Sequence, residues 1–211
     1  MPPPSILFEN AMALVVDKPA GLPVYAGRAG GPSIEDFFPL WRQGRQGPWA
    51  VHRLDQDTSG CLLIARKKSF LLAAQAAMAA GEAQKIYWAV VVGVPNATQG
   101  CIDAPLIKVT QGRRWRMDVA ANGAPARTLW RVLGAHEGLA LLEFTLLTGR
   151  THQIRAHAAH VGHPVQGDPV YGDGQGMLCL LARSLSLPTV GQITAIAPVP
   201  VHMRATVSAC L

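Results

Sequence analysis

Residues 52–65 read HRLDQDTSGCLLIA, and this abrupt change from polar to apolar residues decides the fold assignment. The apolar part, Cys61–Ala65, predicts a buried strand. The polar part predicts a loop that closes with a tight turn over residues 58–60. A loop at the start of a buried strand can hold a carboxylate rigidly beside a cleft, so Asp55 is a candidate functional residue. Taken alone, the pattern would favour a plain surface turn with a capping aspartate.

The rest of the chain alternates short apolar runs with glycine and proline, which predicts many short elements. Strands outnumber helices and are separated by hairpins, so the pattern predicts an α+β fold rather than βαβ alternation. Strands are predicted at Met12–Val16 and Ile86–Val92, with a hairpin of Arg127–Leu133 and Leu139–Leu147 joined across residues 134–138. Helices are predicted to start at Ser33, to run from Ser69 to Gly81, and to run from Thr151 to Val161 with Gly162 after the last turn.

Composition narrows the class of protein. The chain has 211 residues, 49% of them hydrophobic, which suits one domain or a tightly fused pair of subdomains with a sizeable core. The net charge is +6, and arginine greatly outnumbers lysine, which favours a polyanionic partner such as nucleic acid. No apolar run is long enough to span a bilayer, and no signal peptide is evident. Four scattered cysteines without a CxxC pair favour the reducing cytoplasm.

A second polar segment, TGRTHQIRAH at residues 148–157, ends a strand and opens a helix. Arg150 lies just before the helix, where exposed amide groups favour an anion. Arg155 lies at a different helical phase, so one arginine could hold a carboxylate while the other meets phosphate; a solvated basic helix start is the alternative. The histidines of this region lack neighbouring carboxylates or thiolates at metal-ligand spacing, so structural or RNA-facing roles are favoured over a metal site.

Two further segments carry candidate residues. In KIYWAV at residues 85–90, strand alternation places Tyr87 on the face opposite Trp88, where it could point toward a site or belong to the core. The segment RRWR at residues 113–116 interleaves arginines with an aromatic ring. That composition is typical of a loop that grips nucleic acid, and an exposed hairpin tip is equally compatible with it.

Together these segments resemble the RluA family of RNA pseudouridine synthases. The resemblance rests on four motifs in the expected order along nearly the whole chain. They are VDKPAGLPV at 16–24, HRLDQDTSG at 52–60, KIYWA at 85–89, and GRTHQIRAH at 149–157 followed by GHP at 162–164 and GD at 167–168. Leu180-Leu181-Ala182 departs from the Leu-His-Ala usual in the family.

The resemblance implies a cofactor-free isomerase that converts a specific uridine of tRNA or rRNA to pseudouridine after flipping the base out of the RNA. It implies a mixed, largely antiparallel central sheet with flanking helices and an active cleft across the sheet. Residues 1–211 are expected to form a single catalytic domain without a separate N-terminal RNA-binding domain. RNA is the expected partner, a monomer the expected state, and neither a metal nor a membrane is expected to take part.

The family also implies roles for individual residues. Asp55 is the catalytic aspartate, Tyr87 packs against the target base and assists removal of the C5 proton, and Arg150 pairs with the aspartate. Arg53 helps to fill the place of the flipped nucleotide, and Ile154 offers an apolar wall to the base. The remaining predicted substrate-binding residues are His52, Arg155, Arg113, Arg114 and Arg116.

The chemistry is compatible with these roles because a carboxylate can act where positive charge develops at an anomeric carbon. Whether Asp55 attacks the sugar or only promotes departure of the base is open at this point. A non-catalytic RNA-binding or chaperone module is one alternative, although binding alone needs no carboxylate in a basic cleft. A nucleoside hydrolase or base glycosylase is another, although it would need a water-activating group or a metal.

Overall fold

The computed structural model describes residues 1–27, 30–112 and 114–211. The strands are β1 Ile6–Glu9, β2 Ala13–Lys18, β3 Trp49–Ala50, β4 Ser59–Ala65, β5 Gln84–Val92, β6 Gln99–Asp103, β7 Leu106–Gln111, β8 Arg114–Val119, β9 Arg127–His136, β10 Leu139–Leu146, β11 Leu180–Leu187 and β12 Ile193–Ile196. A 3-10 helix spans Ile34–Phe37, and the α-helices are α1 Phe38–Trp41, α2 Lys68–Ala79, α3 Gln153–His160 and α4 Val201–Cys210. No helix of this described part is both long and apolar enough to cross a membrane.

The chain divides into two compact units. The first comprises Met1–Lys85 and Ala182–Pro198. Its strands β1, β2 and β4 pair antiparallel in that order, β3 adds to β4, and β12 pairs antiparallel with β11. Strands β2 and β4 form its core, because β4 is buried along its whole length and β2 almost so.

The second unit comprises Ile86–Leu181 and Val199–Leu211. Strands β5, β10, β9 and β6 follow one another in an antiparallel sheet. Strands β7 and β8 form a separate two-stranded antiparallel hairpin. Helix α3 contacts β8 and β9, and α4 contacts β9 and β10. These pairings confirm the prediction of an α+β fold with a largely antiparallel sheet.

The β9–β10 hairpin is confirmed, but its turn is shorter than predicted. His136 pairs with Leu139, so Glu137 and Gly138 alone make the turn, both with positive φ. Gly134, predicted as part of the turn, lies inside β9 at a register shift. A Cβ added there would lie 1.7 Å from the carbonyl oxygen of Cys210 in α4. Glycine is therefore required at this position by helix packing and not by the turn.

The helix predicted to start at Ser33 is present as the 3-10 helix Ile34–Phe37, with Ser33 as its N-cap, and the other two predicted helices are present with different first residues. Helix α2 begins at Lys68, one residue before Ser69, and α3 begins at Gln153 with His152 as its N-cap in place of Thr151. The shift of α3 follows from His152, whose φ of 52° is left-handed and cannot continue a helix. Gly162 follows α3 with a φ of 88°, as predicted for the residue after the last turn.

Candidate active site

Asp55 lies in the loop between β3 and β4 of the first unit, and its side chain is half-buried. The loop ends in a turn closed by a hydrogen bond from the Thr58 amide to the Asp55 carbonyl oxygen, at 3.2 Å. Leu54 on one side and Thr58 on the other are buried, with exposed fractions of 5% and 2%. The backbone at Asp55 is thus held between two residues anchored in the core, as the sequence predicts for the start of a buried strand.

Lys18, at the end of β2, stabilises this loop through its side chain. Its side chain is fully buried, and its Nζ donates hydrogen bonds to the carbonyl oxygens of Pro19, Leu22 and Gln56 at 2.7–2.8 Å. Burial lowers the pKa of Lys18 to about 7, and the charges of Asp57 and then Asp55 act in the opposite direction. Three N–H groups on an ammonium match three carbonyls, so the charged form satisfies this site completely. The lysine therefore connects its own segment, VDKPAGLPV at 16–24, with the Asp55 loop.

His52 fixes the first part of the same loop. Its Nε2 accepts a hydrogen bond from the amide of Leu63 at 3.1 Å. Since an amide can only donate, the imidazole is neutral and carries its proton on Nδ1. Loss of hydration and, to a smaller extent, the charge of Lys85 lower the pKa of His52 to about 4, against the opposing effect of a backbone hydrogen bond at Arg53. Arg53 itself is exposed.

Tyr87 and Ile154 lie in the second unit. Tyr87 is in β5, directly opposite Phe144 of β10, and only 8% of it is exposed. The indole of neighbouring Trp88 donates to the Glu143 carboxylate at 3.1 Å, so Trp88 lies on the other face, as alternation predicts. Ile154 is in the first turn of α3 with 4% exposure. Both predicted base-contacting residues are thus firmly packed side chains.

Arg150 lies in the turn between β10 and α3, and its side chain is exposed. Its Nε donates to the carbonyl oxygen of Pro125 at 3.0 Å, and its backbone amide donates to Oε1 of Gln153 at 2.9 Å. The same Oε1 accepts the hydroxyl hydrogen of Thr148 at 2.8 Å. Gln153 is 2% exposed, so a buried amide side chain determines the backbone position of Arg150.

Gln153 is itself held by a buried chain of hydrogen bonds. Its Nε2 donates to the hydroxyl oxygen of Thr128 at 2.9 Å, and this hydroxyl lies 2.9 Å from Nδ1 of His157. His157 Nε2 lies 2.8 Å from the carbonyl oxygen of Ala104, which can only accept. The proton is thus on Nε2, and Thr128 donates to Nδ1. Burial lowers the pKa of His157, in keeping with this neutral form and with the structural role predicted for the histidines.

Arg155 is buried, with 3% exposure, and forms two hydrogen bonds with the carboxylate of Asp168, at 2.7 and 2.8 Å. Asp168 is fully buried and also accepts the amides of Val170 and Tyr171. Burial raises the pKa of Asp168, but the hydrogen bonds and charge of Arg155 outweigh it and leave the pKa below its usual range. Of the two roles open to an arginine in this segment, Arg155 thus holds a carboxylate. Arg155 thus positions Asp168 and the backbone that Asp168 binds, and its buried charge is not exposed to RNA phosphates.

Residues 114–116 of the predicted basic segment open β8 at the tip of the β7–β8 hairpin, in agreement with the hairpin-tip interpretation. Arg114 and Arg116 are exposed, and Arg116 forms an ion pair with Asp118 at 2.8 Å. Trp115 between them is 39% exposed, and the Nζ of Lys108 lies 4.8 Å from its ring centre. Arg113 lies outside the described residues. The described part of the tip is therefore a basic surface with an accessible aromatic ring.

Sequence reasoning missed two of these features. The burial of Lys18 has a weak signal, a lysine two residues after the apolar run Met12–Val16. The pairing of Arg155 with Asp168 joins residues 13 positions apart, for which the sequence offers no signal beyond the Gly167-Asp168 pair of the motif.

Within the described residues, no group of three or more histidine, cysteine, aspartate or glutamate side chains could hold a metal ion.

Comparison with known proteins gives consistent matches. The profile of the family described as RNA pseudouridylate synthase matches residues 12–160. An uncharacterized RNA pseudouridine synthase of Zymomonas mobilis is 41% identical over 204 residues, covering 92% of this chain and 93% of the relative. The ribosomal large subunit pseudouridine synthase D of Nitrosomonas europaea is 42% identical over 180 residues, covering 81% of this chain but 50% of that protein.

A solved structure supports the fold independently. The human RNA pseudouridylate synthase domain containing 4 superposes with a TM-score of 0.83 over 97% of this chain and 92% of its own, at 24% identity. At this level of identity the likeness establishes the fold.

Proposed function

The chain belongs to the RNA pseudouridylate synthase family, and from this premise we propose that Asp55, Tyr87 and Arg150 are the residues that carry out its reaction. As a member of the family it is an isomerase that acts on RNA. The reaction breaks the bond between N1 of uracil and C1′ of the ribose, joins C5 to C1′, and moves one proton from C5 while N1 gains one. It consumes neither water nor a redox equivalent.

The observation that carries the proposal is the anchoring of the Asp55 loop. Lys18 binds the Gln56 carbonyl oxygen, the Thr58 amide binds that of Asp55, and Leu54 is buried. A carboxylate that must act at one carbon atom gains most from a fixed backbone, because rate depends steeply on position. A loop that served only to attract RNA would not need this degree of fixation.

The roles of the other residues follow from the same chemistry. Asp55 acts at C1′, either by attacking the carbon or by stabilising the charge as the base departs. Arg150 pairs with the Asp55 carboxylate and keeps it oriented. Tyr87 and Ile154 contact the extruded base, whose unstacking costs a few kcal/mol that contacts in the pocket must offset. Arg53 takes the place of the extruded nucleotide in the RNA.

Recognition of the RNA backbone is proposed for the exposed arginines of the β7–β8 hairpin, Arg114 and Arg116, together with Arg113, whereas His52 is proposed to hold the Asp55 loop. Phosphate contacts supply affinity without sequence information.

The substrate we propose is a ribosomal RNA, because similar proteins are named for the large ribosomal subunit. A transfer RNA is the other outcome that mapping can return. The proposed site of action is the cytoplasm, in keeping with four cysteines that are all free thiols, and the proposed working state is a monomer.

The decisive experiment replaces Asp55 with asparagine, which keeps the side-chain shape and removes its charge. RNA labelled with tritium at uracil C5 is mixed with excess enzyme, and release of tritium and of free base is followed in a single turnover. The Asp55→Asn enzyme should lose release by several orders of magnitude while still binding RNA. Asp57→Asn is the matched control, since it makes the same charge change two residues away and should keep release.

Each other outcome assigns a different function or residue. Substantial tritium release by Asp55→Asn, with deamidation excluded by mass, would overturn the assignment of Asp55. Release of free base by the wild-type enzyme would indicate a glycosylase, and the absence of any release would indicate an RNA-binding module. Mapping pseudouridine by chemical adducts and reverse-transcription stops in cells that lack the gene then identifies the RNA by the site that disappears.

A further inference from the structure

The β7–β8 hairpin depends on its attachments for a fixed position. It forms a two-stranded sheet of its own, joined near its base by a bridge between Leu106 and Ala124. Two strands alone are marginally stable in water. Contacts along β8 must therefore decide where the tip, with its exposed arginines and Trp115, is held.

Tyr171 supplies one such contact. Its hydroxyl oxygen accepts a hydrogen bond from the backbone amide of Met117 in β8, at 2.8 Å. The amide of Tyr171 in turn donates to Asp168, the buried partner of Arg155. Burial raises the pKa of Tyr171 to about 12, so the phenol keeps its hydrogen at neutral pH. The hairpin is thus connected through one side chain to a buried ion pair.

His152 extends this connection to the turn that carries Arg150. Its Nδ1 lies 3.1 Å from the Tyr171 hydroxyl, and its ring stacks on Trp115 with centroids 4.8 Å apart and planes 23° apart. His152 has a left-handed backbone, which is unfavourable for a residue with a Cβ, and these two contacts compensate for it. Because His152 follows Arg150 by two residues, the position of the hairpin and that of Arg150 are coupled.

We propose that Tyr171, His152 and Trp115 form a latch that holds the β7–β8 hairpin in register with the Arg150 turn. RNA whose phosphates are bound by the hairpin arginines is thereby presented at a fixed distance from Arg150. The three latch residues are positioning residues and touch no reacting atom. The inference rests on the proposed roles of Arg150 and of the hairpin.

The test is Tyr171→Phe, which removes the hydroxyl and keeps the ring against His152 and Arg155. Hydrogen exchange at the Met117 amide should become faster in the free protein, because its acceptor is gone. Single-turnover tritium release at saturating RNA should fall about three- to tenfold, the effect of losing one hydrogen bond that orders the site. RNA affinity should change little. Ser186→Ala, which removes a hydroxyl in β11 of the other unit, is the control and should alter neither readout.

A purely structural role is distinguished by a double-mutant cycle. In an Arg114→Ala/Arg116→Ala background, RNA is no longer held by the hairpin, so Tyr171→Phe should no longer slow release at saturating RNA. Unchanged exchange at Met117, or the same slowing in both backgrounds, would overturn the latch and leave the assignment of Asp55 intact. Persistent tritium release by Asp55→Asn would overturn the assignment of Asp55. Hydrogen exchange at the Met117 amide and the effect of Tyr171→Phe on tritium release would still test the latch.

Discussion

Replacing His52 with glutamine should remove a defined part of the acid sensitivity of this protein. The imidazole accepts the Leu63 amide through Nε2 and is neutral, and loss of hydration holds its pKa at about 4. Glutamine does not titrate, and its amide oxygen can accept the same hydrogen bond. The variant thus keeps the contact and loses the proton-binding site.

The sign of the effect follows from the two pKa values. In the unfolded chain the pKa of a histidine is about 6.5. As the pH falls below that value, the unfolded chain binds a proton that the folded protein does not, so the free energy of unfolding decreases. The loss continues until the pH reaches the folded pKa of about 4 and then stops. About 2.5 pH units at about 1.4 kcal/mol each give a limiting loss of about 3.5 kcal/mol through His52 alone, of which about 3 kcal/mol is lost by pH 4, where the folded His52 is half protonated.

Urea unfolding at a series of pH values between about 7.5 and 4 measures this directly. The difference in unfolding free energy between His52→Gln and the wild type should rise by about 3 kcal/mol in favour of the variant across that range. Any cost of altered packing is present at every pH and cancels in the comparison. A difference that stays constant with pH would show that His52 is not a desolvated, neutral acceptor and would refute the reasoning.

Three further outcomes are expected. Lys18→Met leaves the carbonyl oxygens of Pro19 and Leu22 without their donor, while that of Gln56 keeps the Gly21 amide, and should lower the urea-unfolding free energy by about 2 kcal/mol or more. Gln153→Glu replaces the amide nitrogen that donates to Thr128 with a second acceptor oxygen, so it should disturb the backbone position of Arg150. Single-turnover tritium release should slow about tenfold, and a binding titration should show that RNA affinity is retained. Arg155→Ala leaves the Asp168 carboxylate buried without its partner and should cost about 3–5 kcal/mol in urea unfolding, part of which Asp168→Asn in the same chain should restore.

Much of the fold could be predicted from local patterns in the sequence. The alternation of Tyr87 and Trp88, the β9–β10 hairpin and the buried strand after the Asp55 loop each depend on neighbouring residues and are confirmed. Gly162 ends α3 as predicted because the left-handed conformation it adopts favours glycine. Four ordered motifs were sufficient to identify the family, which the comparisons confirm.

Only the tertiary structure decided which polar residues are buried and stabilise the fold through hydrogen bonds and ion pairs. Lys18 meets Gln56 across 38 positions of the chain, and Arg155 meets Asp168 across 13, so neither pair leaves a periodic signal. His152 replaces the predicted Thr151 as the cap of α3 because its contacts with Trp115 and Tyr171 compensate for a left-handed backbone. The sequence determined by itself which residues carry charge and where strands alternate. Burial is a property of what packs over a residue, and for these side chains the packing partners are distant in sequence, so the folded chain alone determined their roles.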